Sequence, residues 1–61
     1  MIMVKYIEKG REHDFKRVDR ERNIVAINYF INGGLYYFRI NRFSYVTIAK
    51  EDVLEMKEGI L

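Results

Sequence analysis

The chain has 61 residues, of which 49% are hydrophobic and 33% charged, and its formal net charge is +2. This length allows one small domain over residues 1–61, which buries only roughly 60% of the surface that the unfolded chain exposes. The sequence contains no cysteine and a single histidine. It therefore excludes disulfides and argues against a zinc site.

The N-terminus shows no targeting segment, because a charge follows as early as Lys5. No apolar run approaches the roughly 20 residues that cross a membrane. Together with the absence of cysteine, these features predict a cytoplasmic protein with no membrane segment. A net charge this small does not by itself predict nucleic-acid binding.

The first half of the chain predicts two strands and a charged loop. Residues 1–9 contain enough β-branched side chains for a strand with one buried face, and two sets alternate along it: Ile2, Val4, Tyr6 and Glu8 against Met3, Lys5, Ile7 and Lys9. Gly10 ends this first strand. A second strand is predicted from about Glu12 to Val18, at a sheet edge because of its charge density. Residues 19–23, which read Asp-Arg-Glu-Arg-Asn, predict an exposed loop.

The sequence Asn32-Gly33-Gly34 lies between two runs of β-branched and aromatic residues and predicts a β-hairpin. Its strands are expected at residues 24–31 and 35–41, with the two-residue turn at Asn32-Gly33. A turn at Gly33-Gly34 would keep every residue on the same face. The face predicted to form the core contains Val25, Ile27, Tyr29, Tyr36, Phe38 and Ile40. The opposite face contains Ile24, Ala26, Asn28, Phe30, Leu35, Tyr37, Arg39 and Asn41.

The C-terminal third predicts a strand over residues 43–48 and a turn or single 3₁₀ turn over residues 49–52. Residues 53–57 fit either a strand, with Leu54 and Met56 pointing inward, or a helix beginning near Lys50. The strand is favoured. The whole pattern predicts an all-β fold, a five- to six-stranded antiparallel SH3-like or OB-like barrel, with a short C-terminal helical turn as the alternative to the last strand.

The sequence predicts no enzyme. His13 lies between Glu12 and Asp14, and neighbouring residues of a strand point to opposite faces, so they would not form a catalytic pair. The two glycines of the hairpin precede no helix and do not form a phosphate loop. We therefore expect neither a cofactor nor a metal.

The features that remain predict a binding module. Between residues 28 and 49 the charges are Arg39 and Arg42, with no acid. Aromatic rings stack on bases, arginine contacts phosphates, and asparagine reads base edges. The predicted RNA or single-stranded DNA site consists of Asn28, Tyr37, Arg39, Asn41, Arg42, Phe43 and Tyr45. Four basic residues would extend the site along the phosphate backbone of the nucleic acid: Lys16, Arg17, Arg20 and Arg22.

A second hypothesis is protein binding, through the same face or through an edge strand, as in a phage or mobile-element accessory protein. Tyrosine and arginine are enriched in interface hot spots, so Tyr37, Arg39 and Tyr45 fit this function as well. The surplus of apolar residues also allows a homodimer, in which Tyr37 and Phe43 would be interface residues. The two hypotheses differ in salt dependence, which is steep for nucleic acid and weak for an apolar interface.

Overall fold

In the residues that the structure describes, the protein is all-β, with two three-stranded antiparallel sheets and one short 3₁₀ helix. The computed structural model describes residues 1–10 and 18–59. The strands are β1 (Ile2–Glu8), β2 (Arg20–Ala26), β3 (Asn28–Asn32), β4 (Leu35–Arg39), β5 (Tyr45–Ala49) and β6 (Val53–Glu58), and the 3₁₀ helix is Lys50–Asp52. Sheet A has the order β2-β1-β6 and sheet B the order β3-β4-β5.

The core lies between the inner faces of the two sheets. Sheet A contributes Ile2, Val4 and Ala26, and sheet B contributes Phe38 and Ile48. Phe38 and Val4 are the largest side chains that are fully buried. Half-buried residues packed around these five complete the core: Tyr6, Ile24, Tyr36, Val46, Val53 and Met56. The fold therefore rests on a small number of fully buried side chains.

A bulge at Ile27 divides one long run of chain into β2 and β3. The Ile27 N–H donates to the Arg39 carbonyl at 2.7 Å, although the register partner of Arg39 is Asn28. Two consecutive residues thus lie opposite one, which is the arrangement of a β-bulge. The bulge lets the chain pass from sheet A, where β2 pairs with β1, into sheet B, where β3 pairs with β4.

Because of this bulge, the predicted faces are wrong on its N-terminal side. Val25 was expected in the core but is 51% exposed, whereas Ala26 is fully buried. Ile24 also packs against the core, and Ile27 is exposed. An extra residue in a strand reverses the inward and outward positions before it, so a face read continuously from 24 to 31 is wrong in its first part.

The loop predicted over residues 19–23 is also wrong, because β2 begins at Arg20. Its side chains are exposed as predicted, and its charges pair across the sheet: Lys5 Nζ lies 3.5 Å from Glu21 Oε1, and Arg22 Nη2 lies 3.4 Å from Glu8 Oε1. The strand predicted from Glu12 to Val18 falls almost wholly outside the described residues.

The hairpin turn is Gly33-Gly34, not Asn32-Gly33. Asn32 pairs with Leu35 and Tyr29 with Phe38, and both glycines have positive φ, +60° and +78°. Positive φ at both central residues is the requirement of a type I′ turn, and glycine meets it at either position. This shift of the turn leaves each residue of β3 and β4 on its predicted face, and Tyr36 and Phe38 pack in the core as predicted. Tyr29 and Ile40 were predicted there too but are exposed, because Tyr29 lies on an edge strand and Ile40 lies beyond the end of β4.

The C-terminal residues form the strand rather than a helix. β6 follows the 3₁₀ helix and pairs with β1. The register shifts between Lys5, which pairs with Glu55, and Tyr6, which pairs with Val53. Leu54 is the extra residue and is half exposed, so its predicted inward position is wrong.

Candidate functional site

The outer face of sheet B, which points away from the core, carries most of the predicted site. Side chains alternate between the two faces along a strand. Because Tyr36 and Phe38 of β4 point into the core, Leu35, Tyr37 and Arg39 point outward. The register aligns Asn28 with Arg39 and Tyr45 in one row. We call this surface the aromatic face: Asn28, Phe30, Asn32, Leu35, Tyr37, Arg39, Tyr45, Thr47 and Ala49.

Three rings are in contact on the aromatic face. Phe30 stacks on Tyr37 with ring centroids 4.8 Å apart and planes 6° from parallel. Phe30 also meets Tyr45 edge-on, at 5.9 Å and 75°. Such contacts hold rings in fixed orientations. Phe30 remains 49% exposed and Tyr45 52% exposed, so the rings support one another while each keeps a surface open to a ligand.

The loop between β4 and β5, residues 40–44, is tied together by Arg39 and Asn41. The Arg39 guanidinium donates to two loop carbonyls, from Nε to Asn41 at 3.2 Å and from Nη2 to Arg42 at 3.4 Å. The Asn41 side-chain oxygen accepts from the Phe43 N–H at 2.8 Å. The Ile40 N–H donates to the Ser44 carbonyl at 3.1 Å and closes the loop.

Phe43 lies on this closed loop with 89% of its surface exposed. Leaving a phenylalanine ring in water is unfavourable compared with burying it, by about 25 cal/mol for each Å² of apolar surface. Here the bonds of Arg39 and Asn41 hold the backbone up to the Phe43 N–H, and the bond from the Ile40 N–H to the Ser44 carbonyl holds the residue after it. The ring is therefore presented on a fixed loop, next to the cationic Arg42 and beside the aromatic face.

The two outer faces differ in their charges. On sheet A, Lys5 lies 3.9 Å from Glu55, and Lys57 lies 3.4 Å from the same carboxylate. These charges border a groove of about 480 Å³ lined by Met3, Lys5, Glu21, Asn23, Glu55 and Lys57. The charged side chains that line the groove pair with one another. The aromatic face contains no acidic residue, and Arg39 is its one charged residue.

The structure brings together four of the predicted residues and places three more on the adjoining loop. Asn28, Tyr37, Arg39 and Tyr45 share the aromatic face. Arg42 and Phe43 lie on the adjoining loop. Asn41 lies on the same loop, where its side chain accepts from the Phe43 N–H.

The basic residues predicted as an extension are not part of this surface where the structure describes them. Arg20 and Arg22 lie on β2 in sheet A, opposite Glu8 and Tyr6 of β1. Arg22 is paired with Glu8. Lys16 and Arg17 lie outside the described residues.

Phe30 belongs to the aromatic face but was not among the predicted site residues. The sequence places it two positions after Asn28, on the same side of the strand, and this alternation is the signal that identifies it. Thr47 joins the face in the same way, opposite Tyr37. The exposure of Phe30 follows from the position of β3 at the edge of sheet B.

The described part of the chain contains no helix long and apolar enough to span a membrane. Nor do its described residues include a group of three or more histidine, cysteine or acidic side chains that could hold a metal ion. Comparison of the chain with family models, curated proteins and solved structures found no match.

Proposed function

We propose that this protein is a small non-enzymatic module that binds RNA or single-stranded DNA through the aromatic face and the β4–β5 loop. The observation that carries the proposal is an exposed Phe43 on a hydrogen-bonded loop, beside a face of stacked rings without an acid. An acid-free surface does not repel phosphates, and exposed rings accept bases of any sequence. The absence of cysteine is the support for a cytoplasmic location.

The proposed fold is a small SH3-like or OB-like barrel. Its support is the single bent run β2–β3, which belongs to both sheets, and the core that the two inner faces share. A barrel of this type leaves one outer sheet face free for a ligand.

Each residue of the site has a role that follows from its chemistry. Phe43, Tyr45 and Phe30 offer ring surfaces to unstacked bases, which single strands provide and duplexes do not. Arg42 supplies charge for a phosphate. Arg39 spends two of its five N–H groups on the loop carbonyls and keeps three for a ligand.

The test is fluorescence anisotropy with labelled oligouridine, oligothymidine and a duplex of about 12 nucleotides, a length within the range of one small binding site. Each is titrated with protein from low to physiological salt. We expect both single strands to bind more tightly than the duplex. The slope of log K against log salt should be close to −0.7 for each phosphate that is neutralised.

Arg42→Glu is the variant and Lys57→Glu its matched control, because both change the net charge equally. We expect Arg42→Glu to weaken binding and to flatten the salt slope by about 0.7, while Lys57→Glu leaves the slope nearly unchanged. If both variants weaken binding equally, the interaction follows net charge and not this face. If no oligonucleotide binds at low salt, the proposal is wrong.

The alternative is a protein partner on the same face or on an edge strand. Its support is exposed apolar surface in both places: Tyr45 on the aromatic face with Phe43 on its adjoining loop, and Ile31 on the other side of the edge strand β3. Tyrosine, phenylalanine and arginine are the residues that form interface hot spots. Binding through such a surface would depend weakly on salt, and on this alternative the oligonucleotides of the titration series would not bind.

A further inference from the structure

Strand β3 presents an unusual edge. It lies at the end of sheet B, and all five of its residues are exposed. No described residue pairs with it on the side away from β4. Exposed edges usually carry charges or proline, which prevent the addition of another strand. β3 reads Asn-Tyr-Phe-Ile-Asn and carries neither.

The other edge strands are protected. β2 includes Arg20, Glu21 and Arg22, and β6 includes Glu55, Lys57 and Glu58. The uncharged β5 lies beside the end of β1, and the two strands line one cleft. β3 is thus the edge, among the described strands, that lacks both charge and cover.

The hairpin turn decides which backbone groups of β3 point outward. Asn32 and Leu35 flank a two-residue turn, so they form a hydrogen-bonded pair. Because such pairs alternate along an antiparallel ladder, Asn28, Phe30 and Asn32 direct their N–H and C=O groups at β4. Tyr29 and Ile31 direct theirs at the open edge.

These outward groups fit the same strand in reverse. When two copies of β3 lie antiparallel about Phe30, Tyr29 of one copy faces Ile31 of the other, on both sides of the two-fold axis. Each facing pair exchanges two hydrogen bonds, which gives four in all. Pairing about Tyr29 or about Ile31 would bring only one such pair together.

The side chains fit the same register. Tyr29 and Ile31 form an aromatic and β-branched cross-strand pair, a favourable combination. The two Phe30 residues form the non-hydrogen-bonded pair at the centre, where opposing side chains come closest. Asn28 faces Asn32 of the second copy at either end, so the contact contains no charge that would be left unpaired.

We propose that a second copy of this chain binds at β3 and joins the two sheets B into one continuous sheet about Phe30. This inference does not depend on the proposed function. One strand from each copy buries less than the roughly 800 Å² per partner of a standard interface. A weak dimer that dissociates on dilution is therefore expected.

Analytical ultracentrifugation over a concentration series tests the dimer. We expect the mass to rise from monomer to dimer, and Ile31→Lys to stay monomeric because it places a charge on the edge. Val25→Lys is the matched control, since Val25 is also a half-exposed β-branched residue but lies on β2. It should form dimers like the unchanged protein. A protein that is monomeric at every concentration, or an Ile31→Lys variant that still forms dimers, overturns the proposal.

A cross-link tests the register independently of the stability of any charged variant. The chain has no cysteine, so Phe30→Cys introduces a single thiol at the proposed axis. Thr47→Cys, on the same face but on β5, is its control. Mild oxidation should link Phe30→Cys into disulfide dimers much faster than Thr47→Cys. Equal rates for the two variants would contradict the β3 register.

Discussion

Replacing Phe43 by alanine separates stability from binding more cleanly than any other change in this chain. The ring is 89% exposed, so its removal takes almost no buried surface from the folded state. The free energy of unfolding should change by no more than about 0.5 kcal/mol, as at other exposed positions. If the ring stacks on a base, its loss costs about 1–3 kcal/mol of binding free energy. That range corresponds to a roughly 5- to 150-fold weaker affinity.

Phe43→Leu is the informative companion, because leucine keeps the apolar surface and lacks the ring. Urea unfolding followed by circular dichroism measures stability, and anisotropy with labelled oligouridine measures affinity. Stacking predicts that leucine is nearly as poor as alanine, whereas docking onto an apolar protein surface predicts that leucine retains most of the affinity. The reasoning is refuted if Phe43→Ala binds the oligonucleotide as tightly as the unchanged protein.

Three further changes test the fold that supports this site. Phe38→Ala should remove about 3–5 kcal/mol from a domain whose whole stability is roughly 3–9 kcal/mol, and a loss below about 1 kcal/mol on urea titration would contradict the assigned core. Gly34→Val should cost about 1–2 kcal/mol by the same titration because of the positive φ, while Gly33→Asn should be well tolerated in a type I′ turn; equal costs would argue against this turn type. Asn41→Ala should speed hydrogen exchange at the Phe43 amide, whose acceptor it removes, and unchanged exchange would show that this bond does not hold the loop.

The hairpin and the aromatic face could be predicted because both depend on local rules. The glycine pair at 33–34 permits the turn. Period-two alternation then places Tyr37 and Arg39 on one face of the strand and Phe38 on the other. These relations involve residues that are close in sequence. They hold even though the turn lies one residue later than expected.

The other features depend on contacts between distant residues. Residues 20–23 form a strand because their backbone pairs with residues 5–8 of β1, a pairing that the charged segment alone does not indicate. No glycine or proline marks the bulge at Ile27 in residues 24–31, and its position is decided by pairing with β1 on one side and β4 on the other.

The role of Arg39 in the loop could not be predicted from the sequence either. Its side chain was predicted as a ligand contact, and the structure adds two hydrogen bonds to the carbonyls of Asn41 and Arg42. A variant at Arg39 would therefore disturb the loop together with any phosphate contact. Arg42, for which the described contacts show only its backbone carbonyl in use, is the cleaner probe of the interface.

The measurement that tests the central claim most directly is an NMR titration of the isotope-labelled protein with oligouridine, followed through the backbone amide signals. The account predicts the largest shift changes at Phe30, Tyr37, Phe43 and Tyr45, and little change at Lys57 on the outer face of sheet A. Changes concentrated on sheet A, or none at low salt, would contradict the assignment of the aromatic face as a nucleic-acid interface.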